Sequence, residues 1–402
     1  MKKLLEMGDH YVSDFVKQQP WERPKFSLDL YADENIGAPR LLTQPPHDSM
    51  WGQYWYRSGI NASMTRELQG IVAEIVSRVK LEAGDAWLDI ACNDGTLLRA
   101  VPFGLDKLGI DPCDDTYFAE SSRVAKVVQD YFSKAAFDKI SRRPAKVITC
   151  IAMFYDLADP HPFVEDLYKC LDDDGVLVLQ MSYTPLMIQQ LAFDNICHEH
   201  VYYYDLTSIK RLFEHHGFRI VDCSLNDTNG GSFRIYLQKT KAKIASFGSA
   251  PLRDVCNYRI ESILNQESLH PITDPETWKV FNYRLNKLKT KVQEFVRQAR
   301  AEGKTVYGYG ASTKGNTLLQ LFGLTNEDIV AIAERSPAKF GLRTIGTDIP
   351  IISEEEMRAA RPDYLLVLPW HFIDEFVSRE SEFLDRGGKF IVPCPYFNII
   401  ER

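Results

Sequence analysis

The most concentrated set of ionisable and hydroxyl side chains lies in residues 193–204, which read Phe-Asp-Asn-Ile-Cys-His-Glu-His-Val-Tyr-Tyr-Tyr. His198 and His200 bracket Glu199, and a carboxylate beside an imidazole raises its proton affinity and orients it as a general base. Metal ligation is an alternative, but the run lacks the His-Glu-x-x-His spacing of helical zinc sites. A structural loop of hydrogen-bonded polar groups is the other interpretation that the residues leave open.

A turn between a predicted strand and a predicted helix carries a second set of residues. The apolar strand 86–91 leads into Ala91, Asn93 and Gly95, and such a turn lets backbone N–H groups approach a ligand at the start of a helix. A second strand ends in an acid, Asp111, about 20 residues further on, which is the layout of a Rossmann-like nucleoside site. A purely structural turn, which any doubly wound domain needs, is the alternative.

The acids near this turn indicate which nucleoside is bound. The Gly-x-Gly-x-x-Gly pattern of dinucleotide folds is absent, and Asp89 stands where enzymes that use S-adenosyl-L-methionine usually carry an acid. We therefore expect a methyltransferase site, with the methionine part at Asp89 and the turn and the ribose at Asp111. The adenine is expected near the residues after the third strand, which are Asp130, Tyr131 and Phe132.

Two glycine-containing segments are further candidates for binding an anion. Residues 226–234 predict a hairpin turn in which Arg234 could pair with a phosphate or a carboxylate. Residues 307–317, which include Tyr309 and Lys314, combine a strand end, glycines, hydroxyls and a lysine at a helix start. Their spacing does not match a nucleotide triphosphatase loop. A plain hairpin turn and a structural Rossmann turn remain the alternatives.

The elements that must position these residues alternate between strands and helices. Alternation of this kind predicts parallel strands joined by helices, and the last two strands are expected to form an antiparallel edge pair, as in a class I methyltransferase sheet. The predicted strands are 86–91, 107–110, 125–129, 146–151, 175–182, 218–224 and 232–238.

Three parts are predicted along the chain: a cap over 1–60, a cofactor domain over 61–245 and a second Rossmann-like α/β domain over 246–402. The cap is expected to be rich in loops with short strands; its aromatic residues around Tyr56 and Arg57 fit core packing or ligand stacking. A helix over about 63–79 is expected to bury one apolar face, formed by Leu68, Ile71, Val72, Ile75, Val76 and Val79. Two helices over 252–302 precede the last predicted strands, which are 305–309, 329–332, 364–368 and 389–392.

Composition excludes several classes of protein. The chain has 402 residues, 45% of them hydrophobic and 25% charged, as in a soluble globular protein of two or three cores. A net charge of -8 gives no general attraction to nucleic acid or an anionic membrane. The eight cysteines are scattered without a Cys-x-x-Cys pair, which argues against disulfides and a zinc cluster. Neither a membrane helix nor a signal peptide is predicted, so the cytoplasm is the expected location.

Six ordered motifs make the chain resemble the S-adenosylmethionine-dependent sugar C-methyltransferases, which build branched deoxysugars on nucleotide carriers. The resemblance implies an N-terminal substrate-binding part, a central cofactor domain and a C-terminal α/β domain that contributes to substrate binding. The motifs are Tyr-x-Tyr-x-Ser-Gly at 54–59, Leu-Asp-Ile-Ala-Cys-Asn-Asp-Gly-Thr-Leu at 88–97, Phe-Asp-Asn-Ile-Cys-His-Glu-His at 193–200, Gly-Gly-Ser-Phe-Arg at 230–234, Gly-Tyr-Gly-Ala-Ser-Thr-Lys-Gly-Asn-Thr-Leu-Leu at 308–319 and Pro-Asp-Tyr-Leu-Leu-Val-Leu-Pro-Trp-His-Phe at 362–372.

The resemblance also implies a mechanism. Such enzymes deprotonate the carbon next to the keto group of a 4-keto-deoxysugar nucleotide, and the enolate takes the methyl group. Carried onto this sequence, His200 and Glu199 lie in the catalytic Glu-His motif, with Tyr56 and Tyr202 as contributors. The phosphate and sugar contacts are expected from Arg57, Arg234, Tyr309 and Lys314.

The chain departs from this family in two places. The paired cysteines that usually hold zinc near the start are missing, because the first cysteine is Cys92, so no bound metal is predicted. Asn229 stands where well-studied members carry a histidine before Gly-Gly, and an amide cannot take up a proton, although it can donate a hydrogen bond. Either His200 or His198 then acts as the base, or the acceptor is an oxygen or a nitrogen. A sugar-nucleotide binding protein without catalysis is the remaining alternative.

Overall fold

Three groups of elements follow one another along the chain, and the computed structural model describes them over residues 1–46, 50, 57–60, 62–243 and 247–402. The first group consists of short strands, as predicted for the cap. β1, β5 and β6 form an antiparallel sheet, and β2 pairs with β4. These strands are β1 (Lys3–Leu5), β2 (Asp9–His10), β3 (Phe15–Val16), β4 (Phe26–Ser27), β5 (Leu30–Asp33) and β6 (Ala38–Leu41).

The central group alternates strands and helices around one sheet. Its strands are β7 (Ala86–Ile90), β8 (Asp106–Ile110), β9 (Lys126–Val128), β10 (Ala145–Ile151), β11 (Leu171–Ser182), β12 (Phe218–Asn226) and β13 (Ser232–Lys239). Its helices are α1 (Ala62–Arg78), α2 (Thr96–Ala100), α3 (Asp115–Ser121), α4 (Lys134–Ile140), α5 (Pro160–Cys170), α6 (Thr184–Gln189) and α7 (Leu206–His215).

The order of the central sheet is β12-β13-β11-β10-β7-β8-β9, and β13 runs antiparallel to both of its neighbours. All seven predicted strands and the antiparallel edge pair are thereby confirmed, and the order is that of a class I methyltransferase sheet. The strands are almost wholly apolar where helices cover both faces, as expected for a buried parallel sheet. The strand order reverses between β7 and β10, so the carboxyl ends of these two strands border the crevice in which such sheets bind ligands.

The third group begins with two long helices separated by Pro271 and a short turn, which confirms the prediction for 252–302. Its elements are α8 (Ala250–Leu269), α9 (Pro275–Ala301), β14 (Val306–Tyr309), α10 (Thr313–Phe322), β15 (Ile332–Glu334), β16 (Arg343–Thr344), β17 (Ile351–Ser353), α11 (Glu354–Ala360), β18 (Tyr364–Val367), α12 (Ile373–Arg379), α13 (Ser381–Asp385), β19 (Lys389–Val392) and β20 (Asn398–Ile400).

The C-terminal sheet has the order β17-β15-β14-β18-β19-β20, with only β20 antiparallel to its neighbour. It is the predicted second Rossmann-like α/β sheet. The cap is tied to this part of the chain, because β3 pairs with β16. Helix α9 packs between β1 of the cap and the C-terminal sheet, whereas α8 packs on β12 and α7 of the central group. The domain boundaries at residues 60 and 245 stay predictions.

Three details of the sequence prediction are corrected. Val76 is 40% exposed, whereas its neighbour Ile75 is fully buried, so Val76 lies just outside the buried face of α1. The strand predicted at 329–332 begins only at Ile332, because the N–H of Ile329 donates to Thr325 in a turn. Strands β17 and β20 were not predicted, since each has only three residues and too short a pattern to be recognised.

None of the helices in the described ranges is long and apolar enough to cross a membrane.

Candidate functional site

The turn after β7 has the backbone conformation that close approach to a ligand needs. Ala91, Asn93 and Gly95 all have positive φ angles, of 57°, 49° and 76°. At Gly95 a Cβ atom would lie only 3.0 Å from the Cα of Ser121, so a larger residue would collide with α3. The turn therefore combines left-handed backbone with tight packing, and it leads directly into the start of α2.

Asp111, at the end of β8, holds this turn in place. One carboxylate oxygen accepts the N–H of Asn93 at 2.7 Å, and the other accepts the N–H of Cys113 at 2.8 Å. Burial raises the pKa of Asp111, although these hydrogen bonds act in the opposite direction. The Cys113 thiol also donates to this carboxylate. A carboxylate offers about four lone-pair positions, so Asp111 can still accept a hydrogen bond from a ribose hydroxyl.

Asp89 lies within β7, directly before the turn, and is almost fully buried. One of its oxygens accepts the hydroxyl of Thr149 at 2.7 Å, and the other accepts no hydrogen bond from any described residue. Burial raises the pKa of Asp89 to about 7. A cationic ligand would restore the charged carboxylate, and S-adenosyl-L-methionine carries an ammonium and a sulfonium. The free oxygen of Asp89 and the spare acceptor position of Asp111 therefore fit this cofactor.

The residues predicted near the adenine lie after β9, on the surface. Asp130 pairs with Lys139 at 2.8 Å, and Tyr131 is 54% exposed. Phe132 packs edge-on against Phe163, with ring centroids 4.8 Å apart. Their role toward the adenine stays a prediction.

Residues 57–59 lie against the cofactor turn. The N–H groups of Ser58 and Gly59 donate to the side chains of Asn93 and Asp94, at 3.1 and 3.0 Å. Arg57 donates to Asp94 at 3.4 Å and to Glu120 at 2.6 Å. Its guanidinium thus faces carboxylates beside the turn, and a substrate phosphate would have to compete with them. Tyr56 is outside the described residues.

His200 is the imidazole of the 193–204 segment with the geometry of a base. Its Nδ1 lies 2.8 Å from the carbonyl oxygen of Asn195, and a carbonyl can only accept, so Nδ1 carries the hydrogen and Nε2 keeps its lone pair. The ring packs against Tyr155 with centroids 4.1 Å apart. Burial, and then the Lys314 ammonium, lower the pKa of His200 to about 3. His200 is therefore neutral at pH 7, with one free acceptor nitrogen.

Glu199 lies beside a carboxyl that the sequence analysis missed, that of Asp156. Burial raises the pKa of Glu199 to about 7, against the opposing effect of Lys314. Burial and the Glu199 carboxylate raise the pKa of Asp156 well above its ordinary value. Asp156 follows β10, and its position at the carboxyl end of a strand next to β7 is the signal that could have found it.

The C-terminal domain completes this cluster with Lys314. Lys314, in the first turn of α10, donates to the side-chain oxygen of Asn195, and its charge acts on His200 and Glu199. Trp370 donates from its indole nitrogen to Asp194 at 3.1 Å. Two separate parts of the C-terminal domain, α10 and the turn after β18, thus reach the segment that the sequence analysis singled out.

The hairpin between β12 and β13 meets the same tryptophan. Asn229 has a left-handed φ of 54°, and a Cβ on Gly230 would lie 3.2 Å from the Trp370 ring. A residue larger than glycine would push the hairpin away from the C-terminal domain. Asn229 therefore lies next to a residue that contacts Trp370.

His198 and Tyr202 point toward the cap instead. His198 Nε2 bonds to the carbonyl oxygen of Phe26 at 3.0 Å, and burial lowers its pKa to about 4. The Tyr202 hydroxyl donates to Asp33 at 3.0 Å and accepts from Arg40 at 2.7 Å. Both side chains bind the segment to the cap, so they do not lie with His200 and Lys314.

Arg234 and Tyr309, predicted to contact substrate, are engaged inside the protein. Arg234 is buried and pairs with two carboxylates of α1, those of Glu67 at 2.6 Å and Glu74. The Tyr309 hydroxyl lies 2.9 Å from Glu354 and 2.8 Å from Glu380. A substrate would reach Arg234 only if these ion pairs broke, so the role of both residues in binding stays a prediction.

A cleft of about 860 Å³ opens between the start of α1 and the carboxyl ends of the C-terminal strands. Three arginines line it, Arg66 from α1 and Arg335 and Arg379 from the C-terminal domain, with Glu375 pairing to the last two. His371 also lines it, and burial together with the Lys314 charge lowers its pKa to about 3. The cleft therefore comes close to the cluster around His200.

The C-terminal domain repeats the arrangement of the cofactor turn. Glu334 ends β15, the second strand of its sheet, as Asp111 ends β8. Its two oxygens accept the N–H groups of Ala311 at 2.9 Å, of Arg335 at 2.7 Å and of Ser336 at 2.9 Å. The same turn-and-acid arrangement thus occurs once in each Rossmann-like domain.

A seven-stranded sheet of this order, with an acid-ended second strand beside a left-handed turn, defines a class I methyltransferase. Residues 61–222 match a family described as a methyltransferase domain, and residues 227–395 match one described as the C-methyltransferase C-terminal domain. The chain is 30% identical over 378 residues to the C-methyltransferase NovU of Streptomyces niveus, covering 93% of this chain and 88% of that protein. The chain therefore belongs to the C-methyltransferase family, and its cofactor is S-adenosyl-L-methionine.

Solved structures of other methyltransferases are similar over less than half of the chain. The magnesium protoporphyrin IX methyltransferase of Synechocystis PCC 6803 is 13% identical with a TM-score of 0.34, covering 45% of this chain and 81% of that one. The N-methyltransferase NodS of Bradyrhizobium japonicum WM9 is 14% identical with a TM-score of 0.34, covering 44% and 98%.

Proposed function

We propose that this enzyme methylates the carbon next to the keto group of a nucleotide-linked keto-deoxysugar, through an enolate. The observation that carries the proposal is the tautomer of His200, which leaves its Nε2 lone pair available. S-adenosyl-L-methionine, when bound, supplies an electrophilic methyl group. The protein has to supply a base for the carbon-bound proton and a donor or positive charge for the enolate oxygen.

His200 has the protonation state that a base requires, because it is neutral at pH 7. The positive charge it gains on taking a proton is disfavoured by burial and by Lys314, so the free enzyme holds only a weak base. An anionic substrate bound beside Lys314 would offset that charge and strengthen the base. Proton removal is thereby coupled to binding of the anionic substrate.

The interdomain cleft supports a nucleotide-linked substrate. Its volume of about 860 Å³ is in the range of small-molecule sites. Guanidinium groups bind phosphates through paired hydrogen bonds, and two of the lining arginines, Arg66 and Arg335, come from different domains. The Nε atom of a third, Arg379, is buried without a hydrogen-bond partner among the described residues, whereas its Nη1 lies 3.3 Å from a carboxylate oxygen of Glu354. We assign the diphosphate to these arginines and the sugar to the end of the cleft near Lys314, while Arg57, Arg234 and Tyr309 hold the surrounding frame.

Proton exchange in deuterated water tests this function. The enzyme is incubated with a 4-keto-deoxysugar nucleotide and S-adenosylhomocysteine, which allows deprotonation without methyl transfer. We expect deuterium at the carbon beside the keto group, its loss in His200→Ala, and its retention in the matched variant His198→Gln. No exchange in the wild type together with an O- or N-methylated product would overturn the proposal. Exchange lost in His198→Gln and kept in His200→Ala would move the base to His198.

A further inference from the structure

Asp156 occupies a position at which this sheet binds its ligands. It is the fifth residue of the loop that begins with Ala152, directly after β10. Strand β10 pairs with β7 at the point where the strand order reverses. The cofactor turn follows β7. Residues just beyond the carboxyl ends of these two strands face the same crevice. The fold therefore places Asp156 opposite the cofactor turn.

The backbone beside Asp156 is joined to the segment that carries His200. The carbonyl oxygen of Tyr155 accepts the N–H groups of Val201 at 2.9 Å and Tyr202 at 3.0 Å. The Tyr155 ring packs on the His200 ring at 4.1 Å. Asp156 and His200 are thus held by one hydrogen-bonded unit, so their relative position is fixed.

The Asp156 carboxyl is not used by the fold. Its Oδ1 is buried and has no hydrogen-bond partner in the described part of the chain. Glu199, the carboxylate that acts on it, likewise makes no hydrogen bond with a described residue. A buried polar group without a partner costs about 1–3 kcal/mol, and a buried unpaired charge costs more. Such groups are rare in natural proteins, and a catalytic role is one of the reasons for which they are retained.

The electrostatics place a proton on Asp156. The Asp156 charge acts on three neighbouring groups, the thiols of Cys150 and Cys197 and the phenol of Tyr203. Burial raises the pKa of each well above its ordinary value, so all three stay neutral. Lys314 acts on Glu199 and favours its ionised form. Of the two carboxyls, Asp156 is therefore the one that remains protonated, since no cation among the described residues offsets its charge.

We propose that Asp156 is a further catalytic residue, whose carboxyl O–H donates a hydrogen bond to the oxygen of the enolate formed when His200 takes the carbon-bound proton. Asp156 keeps its own proton throughout, and His200 releases the proton it has taken to solvent after methyl transfer. Three donors were considered from the sequence, Tyr56, Tyr202 and the Asn229 amide, and of these the Tyr202 hydroxyl is occupied between Asp33 and Arg40. This inference rests on the enolate route of the proposed function.

Two substitutions test whether the side chain at position 156 acts by donating a hydrogen bond. Asp156→Ala removes the donor, and removing one such donor typically costs about 10²–10³ in kcat. Asp156→Asn keeps a donor in the same place, so we expect it to stay within about 10-fold of wild type. The wild type should lose kcat as the pH rises and the Asp156–Glu199 pair loses its proton, whereas the Asn variant should lack this alkaline decline. A matched control is Asp205→Asn, another buried carboxyl with a pKa of about 7 that only caps α7; it should keep the wild-type profile.

Stability and cofactor affinity exclude a merely structural role. Because the Asp156 carboxyl lacks partners, both variants should melt at or above the temperature of the wild type and bind S-adenosylhomocysteine as it does. A lower melting temperature with a proportional loss of activity, or kcat within about threefold of wild type in Asp156→Ala, would overturn the proposal. Equal losses of kcat in the Asn and Ala variants would also overturn the proposal, since they would mean that the Asp156 carboxyl takes up a proton rather than donates a hydrogen bond. Absence of deuterium exchange in the wild type would instead refute the enolate route itself.

A second observation, independent of the active site, concerns three histidines on the surface of the central domain. His161 lies in the first turn of α5, and His215 and His216 lie at the end of α7. Their candidate ligand atoms all lie within 4.8 Å of one another, and Nδ1 of His161 is 2.9 Å from Nε2 of His216. Imidazole nitrogens held this close form a ready set of metal ligands.

We infer that these three histidines bind a first-row divalent cation such as Zn²⁺, with water completing a tetrahedral site. Zinc–nitrogen distances of about 2.0–2.1 Å in a tetrahedral site place the nitrogens roughly 3.3–3.4 Å apart. The His161–His216 pair at 2.9 Å would therefore open slightly, and the more widely spaced nitrogens would draw closer. The sequence analysis predicted no metal because the cap lacks its cysteine pairs, and this site uses neither the cap nor a cysteine. A bound ion would join α5 to α7.

Thermal unfolding of the full, tag-free chain tests this site. After treatment with a chelator, added ZnCl₂ should raise the melting temperature by a few degrees, since a ligand of the folded state stabilises it. The rise should vanish in His161→Asn and in His215→Asn and persist in the matched control His270→Gln, which changes a histidine at the end of α8. No rise in the wild type, or an equal rise in the two His→Asn variants, would overturn the inference.

Discussion

Replacing Asp111 with alanine should weaken the cofactor site and the fold by separable amounts. The carboxylate accepts two backbone N–H groups, from Asn93 at 2.7 Å and Cys113 at 2.8 Å, and hydrogen bonds to charged groups contribute about 1.5–3 kcal/mol each. Burial of the carboxylate offsets part of this, so we expect the free energy of unfolding to fall by about 2–4 kcal/mol. Losing the ribose contact should weaken S-adenosylhomocysteine binding by about 1–3 kcal/mol, or roughly 5- to 150-fold.

Calorimetric titration with S-adenosylhomocysteine and urea unfolding measure the two effects. The matched control is Glu334→Ala, because Glu334 holds the corresponding turn of the C-terminal domain through Ala311 and the two residues after β15. That variant should lose a similar amount of stability and keep its affinity for S-adenosylhomocysteine. Unchanged affinity in Asp111→Ala, or a loss of equal size in Glu334→Ala, would refute the assignment of the ribose to Asp111.

Three further predictions follow from buried groups. His200→Ala should lose about 10²–10⁴ in kcat while binding S-adenosylhomocysteine normally, and wild-type turnover in a methyl-transfer assay would contradict its role as base. Asp222→Ala should lower the free energy of unfolding in urea by about 3–5 kcal/mol, because it leaves Arg78 and Arg259 without the fully buried carboxylate that pairs with them. A decrease of under about 1 kcal/mol would contradict the reasoning. His198 has a folded pKa of about 4, below the 6.5 of an exposed histidine, so the unfolded chain binds the proton first and stability falls as the pH drops from 6.5 to 4. Relative to His198→Gln, the wild type should lose about 3 kcal/mol over that interval, and parallel pH–stability curves would contradict it.

The sequence predicted most of the central sheet because its information is local there. A strand that is buried on both faces has a continuous run of apolar residues in the sequence. The turn after β7 likewise depends on residues only a few positions apart. Asp111 could be found in the same way, since it ends the next strand. Glu199 and His200 were also found, because adjacent ionisable residues are visible without knowledge of the fold.

Contacts between distant parts of the chain were beyond such reasoning. Arg234 was expected to be free for an anion, yet it meets the carboxylates of α1, which nothing in its own strand indicates. Asp156 carries no motif, and only the pairing of β10 with β7 brings it to the crevice. His161 is likewise separated from the adjacent pair His215 and His216 by β11 and α6 along the chain.

By itself, the sequence determined the class of fold, the cofactor turn and the segment with the candidate base, because periodicity, glycine positions and neighbouring charges act over a few residues. The tertiary structure alone decided which nitrogen of His200 keeps its lone pair, since the acceptor for Nδ1 depends on how the loop folds back onto Asn195. It also decided that Lys314 reaches this loop from another domain. Protonation and charge pairing depend on burial and on partners far along the chain, and these exist only once the domains have packed together.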